Sequence, residues 1–133
     1  MIILDTHALV WWVSDPGQLP TKSRRLVERA AEQAGSLAVS CISVWEIAML
    51  VARGRLQLTV PVETWLSALQ SLPSLIFVPV DNVIAVRAVN LSGFSHKDPA
   101  DRFIVATVLE TGGTLVTADR RLRGYKEIAT AWD

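Results

Sequence analysis

Five short apolar segments recur along the chain with helix-like segments between them: Met1 to Leu4, Leu37 to Cys41, Ile76 to Val80, Thr114 to Thr117, and a last piece near Ile128 to Thr130. Consecutive residues are apolar in most of these segments, so they lack the alternation of a strand with one wet face and read as strands buried on both sides. The intervening segments carry helix signals. Thr6 to Ser14 is stopped by Asp15-Pro16-Gly17, and Pro20 to Ala34 has an amphipathic period closed by Gly35. Ser43 to Arg53 ends at Gly54, Val62 to Leu72 stops before Pro73, and Asn82 to Leu91 leads into the loop Ser92 to Lys97. Pro99 to Thr111 is closed by Gly112-Gly113, and a short basic helix starts at Arg120. Strands alternating with helices need crossover connections, which predicts a three-layer α/β/α sandwich around a central parallel sheet. The 133 residues suit a single such domain, residues 1–133.

Charge says little about a ligand. With 13 basic and 13 acidic side chains the net charge is zero, so a polyanion would have to be met by a local basic patch or a bound metal. The lone Cys41 excludes a disulfide framework, suits a reducing compartment and reads as a small buried hydrophobe. The apolar N-terminus is interrupted by Asp5 and has no preceding basic residues, which makes it a poor signal peptide. No apolar stretch approaches the roughly 20 residues of a membrane span. A cytoplasmic protein without a membrane segment is the expectation.

Four acids recur at equivalent places. Asp5, Glu46, Asp101 and Asp119 each follow a strand-like segment or stand just inside the next helix. Each could be a helix cap: Asp5 before Thr6-His7-Ala8, Glu46 in a capping box with Ser43, Asp101 at N3 behind the Asp98 cap and Pro99, and Asp119 before Arg120-Arg121-Leu122. Taken together they are harder to explain as caps. Ligands bind parallel sheets beyond the carboxyl ends of the strands, where all four acids would converge. Clustered carboxylates raise one another's pKa, and a divalent cation removes the conflict. Oxygen ligands without clustered Cys or His favour Mg²⁺, with Mn²⁺ as the alternative, over zinc.

The series Ile3-Leu4-Asp5-Thr6, Ser40-Cys41-Ile42-Ser43-Val44-Trp45-Glu46, Asp98-Pro99-Ala100-Asp101-Arg102-Phe103-Ile104-Val105-Ala106-Thr107 and Val116-Thr117-Ala118-Asp119 resembles the PIN-domain nucleases. Within that family the series resembles in particular the VapC-type toxins of prokaryotic toxin-antitoxin pairs. That resemblance implies a metal-dependent endoribonuclease with RNA as substrate, a VapB-like antitoxin as partner, and a homodimer. It also implies that Asp5, Glu46 and Asp101 are metal ligands, directly or through water, with Asp119 as the fourth acid. Thr6, Ser43 and Thr117 would orient the carboxylates or water. The implied chemistry is attack of a metal-activated water on a phosphodiester, leaving a 5′-phosphate and a 3′-hydroxyl.

Several other residues have two readings. Asp98 is assigned to the cap, and Val108 to the buried face of its helix. Arg102 either neutralises the acidic pocket or grips a phosphate, or else forms an ion pair with Asp98 or another loop acid. Arg120, Arg121, Arg123 and Lys126 either guide an RNA backbone or form a solvated helix face. His7 and His96 stand outside the acidic set as possible general bases. The chain has five tryptophans, and adjacent Trp11 and Trp12 project about 100° apart on a helix, so full burial of both is not expected; the resemblance implies that Trp11 or Trp12, with Val44 to Val51, lines the antitoxin groove. Phosphatases of the haloacid-dehalogenase type need a second Asp where this chain has His7, and receiver domains need a Lys where it has Thr117-Ala118-Asp119. An RNA-processing nuclease without a toxin role and a metal-free partner-binding domain remain as alternatives.

Overall fold

The structure, a computed structural model describing all 133 residues, contains five strands whose pairings are all parallel. They are β1 (Ile2–Leu4), β2 (Leu37–Ser40), β3 (Leu75–Val78), β4 (Thr114–Val116) and β5 (Ala129–Ala131), in the spatial order β3-β2-β1-β4-β5. Seven helices fill the connections: α1 (Thr6–Ser14), α2 (Thr21–Ala31), α3 (Cys41–Ala52), α4 (Val62–Gln70), α5 (Asn82–Val89), α6 (Pro99–Thr111) and α7 (Arg120–Arg123). A 3-10 turn at Pro16–Gln18 follows α1.

Neighbouring strand residues point to opposite faces of the sheet, and the core divides accordingly. Leu4, Leu37, Val39 and Val116 pack with Leu9 of α1, Val27 of α2 and Trp65 and Leu69 of α4. Ile3, Ala38 and Leu115 pack on the other face with Ile104, Val105 and Val108 of α6 and Leu122 of α7. Beyond α6, Ile84 and Ala88 of α5 rest on Ala106. Two covered faces explain why the strands read as continuous apolar runs, and truncating one buried residue such as Ile104 to Ala should cost about 2–5 kcal/mol. Val108 lies on the buried face, as its position predicts.

Several boundaries differ from the sequence reading. The β2 strand stops at Ser40, whose Oγ accepts from the Ile42 amide at 3.1 Å and caps α3 directly. The helix therefore starts at Cys41, Ser43 is its third residue and Glu46 lies in its second turn, so the Ser43–Glu46 capping box does not form. Ser40 has extended dihedrals and can end a strand and begin a helix with no loop between. The β3 strand ends at Val78 because Pro79 offers no amide to the ladder. α2 ends at Ala31, and the chain turns before Gly35 takes a positive φ of 81°. Cys41 is only half-buried, because the first residue of α3 stands at the rim rather than in the core. Gly113 has a steric reason to be glycine, since a Cβ there would meet the Met1 carbonyl and Ile3 Cδ1 at 2.9 Å. No helix is long and apolar enough to cross a membrane.

Candidate active site

From β1 the chain runs outward through β2 and β3, then returns to the other side of β1 for β4 and β5. That reversal between β1 and β4 opens a crevice at their carboxyl ends. Asp5 and Asp119 follow these two strands. The Asp5 amide extends the ladder to the Val116 carbonyl, while its Oδ1 accepts from the Ala8 amide at 2.8 Å and caps α1. Asp119 caps α7 by accepting from the Arg121 amide at 2.8 Å, and its own amide donates to Thr117 Oγ1 at 3.0 Å.

The other two acids arrive on helices. Asp101 is the third residue of α6, one turn from the Asp98 cap, whose Oδ1 accepts from the Ala100 amide at 3.0 Å. Glu46 reaches in from α3, and the Thr6 hydroxyl lies 2.5 Å from its Oε1 and 2.9 Å from the Ser43 hydroxyl. Asp5, Glu46, Asp101 and Asp119 all line one cleft of about 330 Å³, together with Asp98, Thr6, His7, Trp11 and Arg121. Asp98 thus serves as the cap and also borders the site.

Electrostatics separates the acids. Burial pushes the Asp5 carboxyl above its ordinary value, against hydrogen bonds from the Thr117 hydroxyl and the Ala8 amide. Asp5 is only 7% exposed. Burial likewise raises Asp101 to about 6, partly offset by the His96 hydrogen bond and reinforced by the charges of Asp98 and Asp119. For Asp119 burial also acts upward but is outweighed by the Arg121 side chain and backbone amide, which hold it below the usual carboxylate value. No side-chain cation pairs with Asp5 or Glu46. A cleft of carboxylate oxygens with partly uncompensated charge fits a hard divalent cation.

Some residues play parts the sequence did not suggest. Arg102 neither enters the acidic cleft nor pairs with Asp98. It donates to the carbonyls of Ala88, Val89, Phe94 and His96, and its guanidinium lies 5.7 Å from the centre of the Phe94 ring. A planar fork of donors next to a loop of free carbonyls explains that choice. His96 Nε2 stands 2.6 Å from Asp101 Oδ2, and the metal-binding atoms of His96, Asp98 and Asp101 all lie within 4.8 Å of one another. The only sequence sign was a histidine five residues before the acid, on a loop with no period. In the basic run Arg121 lines the cleft and pairs with Asp119 at 3.2 Å, whereas Arg123 turns away to Asp133. Trp11 is half-buried between His7 and Trp132, and Trp45 is the exposed tryptophan, at 54%.

Fold and cleft define a parallel α/β protein with a carboxylate site at the point where the strand order reverses. The chain belongs to the PIN domain family, whose model matches residues 2–128. It is similar to Ribonuclease VapC22 of Mycobacterium tuberculosis (strain ATCC 25618 / H37Rv), with 39% identity over 125 residues, covering 94% of this chain and 92% of the relative. Among solved structures, VapBC2 from Rickettsia felis bound to a DNA fragment from its promoter contains a chain matched over 100% of both lengths, with a TM-score of 0.74 and 18% identity. DNA-bound VapBC from Salmonella typhimurium matches over 98% of this chain and 96% of the other, with a TM-score of 0.69 and 17% identity. These two likenesses carry the fold.

Proposed function

We propose that this chain is a Mg²⁺-dependent endoribonuclease and the toxin of a toxin-antitoxin pair, with Asp5, Glu46, Asp101 and Asp119 as its metal-binding and catalytic acids. One observation carries the reading. Four acids reach a single cleft from the ends of β1 and β4, the second turn of α3 and the first turn of α6, in a chain 39% identical along 94% of its length to a protein named as a ribonuclease.

Asp5 is held as the cap of α1 and Asp101 stands in the first turn of α6, while Glu46 is aimed by Thr6, which in turn is held by Ser43. Thr117 steadies both Asp5 and the Asp119 amide. Mg²⁺, or Mn²⁺ on the same donors, supplies a water of lowered pKa and neutralises charge on the phosphoryl oxygens. Arg121, at the rim and paired with Asp119, adds a positive charge that an RNA backbone would approach. The partners are a small VapB-like antitoxin and a second copy of this chain. Exposed apolar side chains support both: Trp45 on α3, and Val83, Val86 and Val89 on α5.

The test is cleavage of a mixed RNA pool by the purified chain, free of any co-purified partner, with Mg²⁺ and with EDTA. Cleavage that needs Mg²⁺ and is lost in Asp5→Asn and Asp101→Asn is expected. Equal cleavage by the variants would refute the carboxylate assignment.

A further inference from the structure

His96 is held at both ring nitrogens and at its backbone carbonyl. Its carbonyl accepts from Arg102 Nη1 at 2.9 Å, its ring meets the buried Phe94 edge-on at 5.8 Å between centroids, and Arg121 Nη1 lies 3.3 Å from its Nδ1. Nε2 faces Asp101 Oδ2 at 2.6 Å, and the imidazole is only 15% exposed.

These contacts fix where the proton sits. A guanidinium has donors and no acceptor, so Nδ1 must meet Arg121 with its lone pair. The ring proton is then on Nε2 and is donated to Asp101 Oδ2. Oδ2 thereby accepts one hydrogen bond, while Oδ1 has no hydrogen-bond partner within the chain and is the oxygen of Asp101 freer to meet a cation in the cleft. Arg121 also forks onto Asp119, Nε to Oδ1 at 3.4 Å and Nη2 to Oδ2 at 3.2 Å. One chain of contacts, Asp119 to Arg121 to His96 to Asp101, therefore joins the acid after β4 to the acid on α6.

We propose that His96 is a positioning residue, with its tautomer set by Arg121, that reserves Oδ1 of Asp101 for the metal. The proposal rests on the metal-dependent reading given above. A different role, with His96 as a direct ligand beside Asp98 and Asp101, is disfavoured because both ring nitrogens are already engaged and a guanidinium stands next to the ring.

Two measurements on the full chain test it. Nitrogen-15 spectra of the imidazole in the metal-free protein should show His96 protonated at Nε2; protonation at Nδ1 would overturn the proposal without recourse to any variant. Mn²⁺ titration followed by electron paramagnetic resonance should show the ion bound roughly tenfold or more weakly by His96→Ala, at unchanged stoichiometry, as expected when an orienting hydrogen bond is lost. His96→Gln, whose amide can donate to Oδ2, should recover most of that affinity. Unchanged affinity in His96→Ala overturns the proposal, and so does loss of one bound ion, which would make His96 a ligand. A wild-type chain that binds no Mn²⁺ at all overturns the underlying metal-dependent reading and the proposal with it.

Discussion

The hydroxyl of Thr6 lies 2.5 Å from Oε1 of Glu46, a contact across 40 residues of sequence that ties the first turn of α1 to the second turn of α3. Thr6 has one proton to give, and an ionised carboxylate can only accept. Thr6 therefore donates to Glu46, and the buried Ser43 hydroxyl donates to the Thr6 oxygen 2.9 Å away. Thr6→Val breaks this relay at its centre. It should cost about 1–3 kcal/mol in chemical denaturation, because Ser43 is left without its acceptor in the core. RNA cleavage should fall roughly 10- to 100-fold with the loss of an orienting partner. Thr6→Ser should keep most of both, and full activity in Thr6→Val would remove Thr6 from the site.

Asp101 gives a pH prediction with a definite sign. Its carboxyl is raised from 3.8 to about 6 in the folded chain, chiefly by burial, so the metal-free fold holds the proton more tightly than the unfolded chain does. The stabilisation is complete below about pH 4, declines as pH rises toward about 6, and then levels off. After discounting for solvent screening of a partly exposed group, the loss is about 1–2 kcal/mol. Measured in EDTA, Asp101→Asn should be relatively more stable than wild type at about pH 7 than at about pH 4, and Mg²⁺ should raise the wild-type melting temperature more at the higher pH. A wild-type-to-variant difference that does not change with pH would show that burial does not set the charge of Asp101.

Much of this architecture can be read from the chain because its signals are local. Each strand is a short apolar run, and three of the four acids sit beside breaks that the sequence marks: Asp5 after Ile3-Leu4, Asp101 behind Asp98-Pro99, and Asp119 after Thr117-Ala118. For Glu46 the competing structural reading fails: a serine three residues before it suggested a capping box, but Ser40 takes the cap, and Glu46 enters the cleft from the second turn of α3. Arg102 and His96 could not be placed from sequence at all. Their partners are carbonyls of residues 88–96 and a carboxylate across a loop, and nothing in the order of residues encodes where a loop folds back.

Arg102 should behave as a structural residue. Its four carbonyl partners bind the end of α5 to the loop that carries His96. Arg102→Ala leaves those carbonyls without their donor, which should lower stability by about 2–3 kcal/mol and speed hydrogen exchange across residues 90–98. Arg102→Lys, with one compact donor group in place of the fork, should restore only part of the loss. Because the side chain points away from the cleft, the apparent affinity for RNA should change less than stability; a selective loss of RNA affinity with normal exchange would return Arg102 to the binding surface.

The outer face of α5 gives the clearest prediction about assembly. Val83, Val86 and Val89 are 58%, 62% and 74% exposed and recur every three residues, so they form one ridge on a helix whose other side rests on α6. A ridge of three exposed β-branched residues on a short helix is costly to leave in water, at roughly 25 cal/mol for each Å² of apolar surface. A second copy of the chain related by a two-fold axis would cover ridge with ridge. Arg87, on the same helix, is already paired with Glu110 of α6 at 2.6 Å, so its charge is partly balanced beside the contact. Val86→Asp places two unpaired carboxylates face to face across such an axis. Light scattering after size exclusion should show the wild type as a dimer and Val86→Asp as a monomer, with the far-ultraviolet circular dichroism of the two unchanged. A wild type that is monomeric at high concentration, or a Val86→Asp chain that remains dimeric, would remove the α5 ridge as the pairing surface.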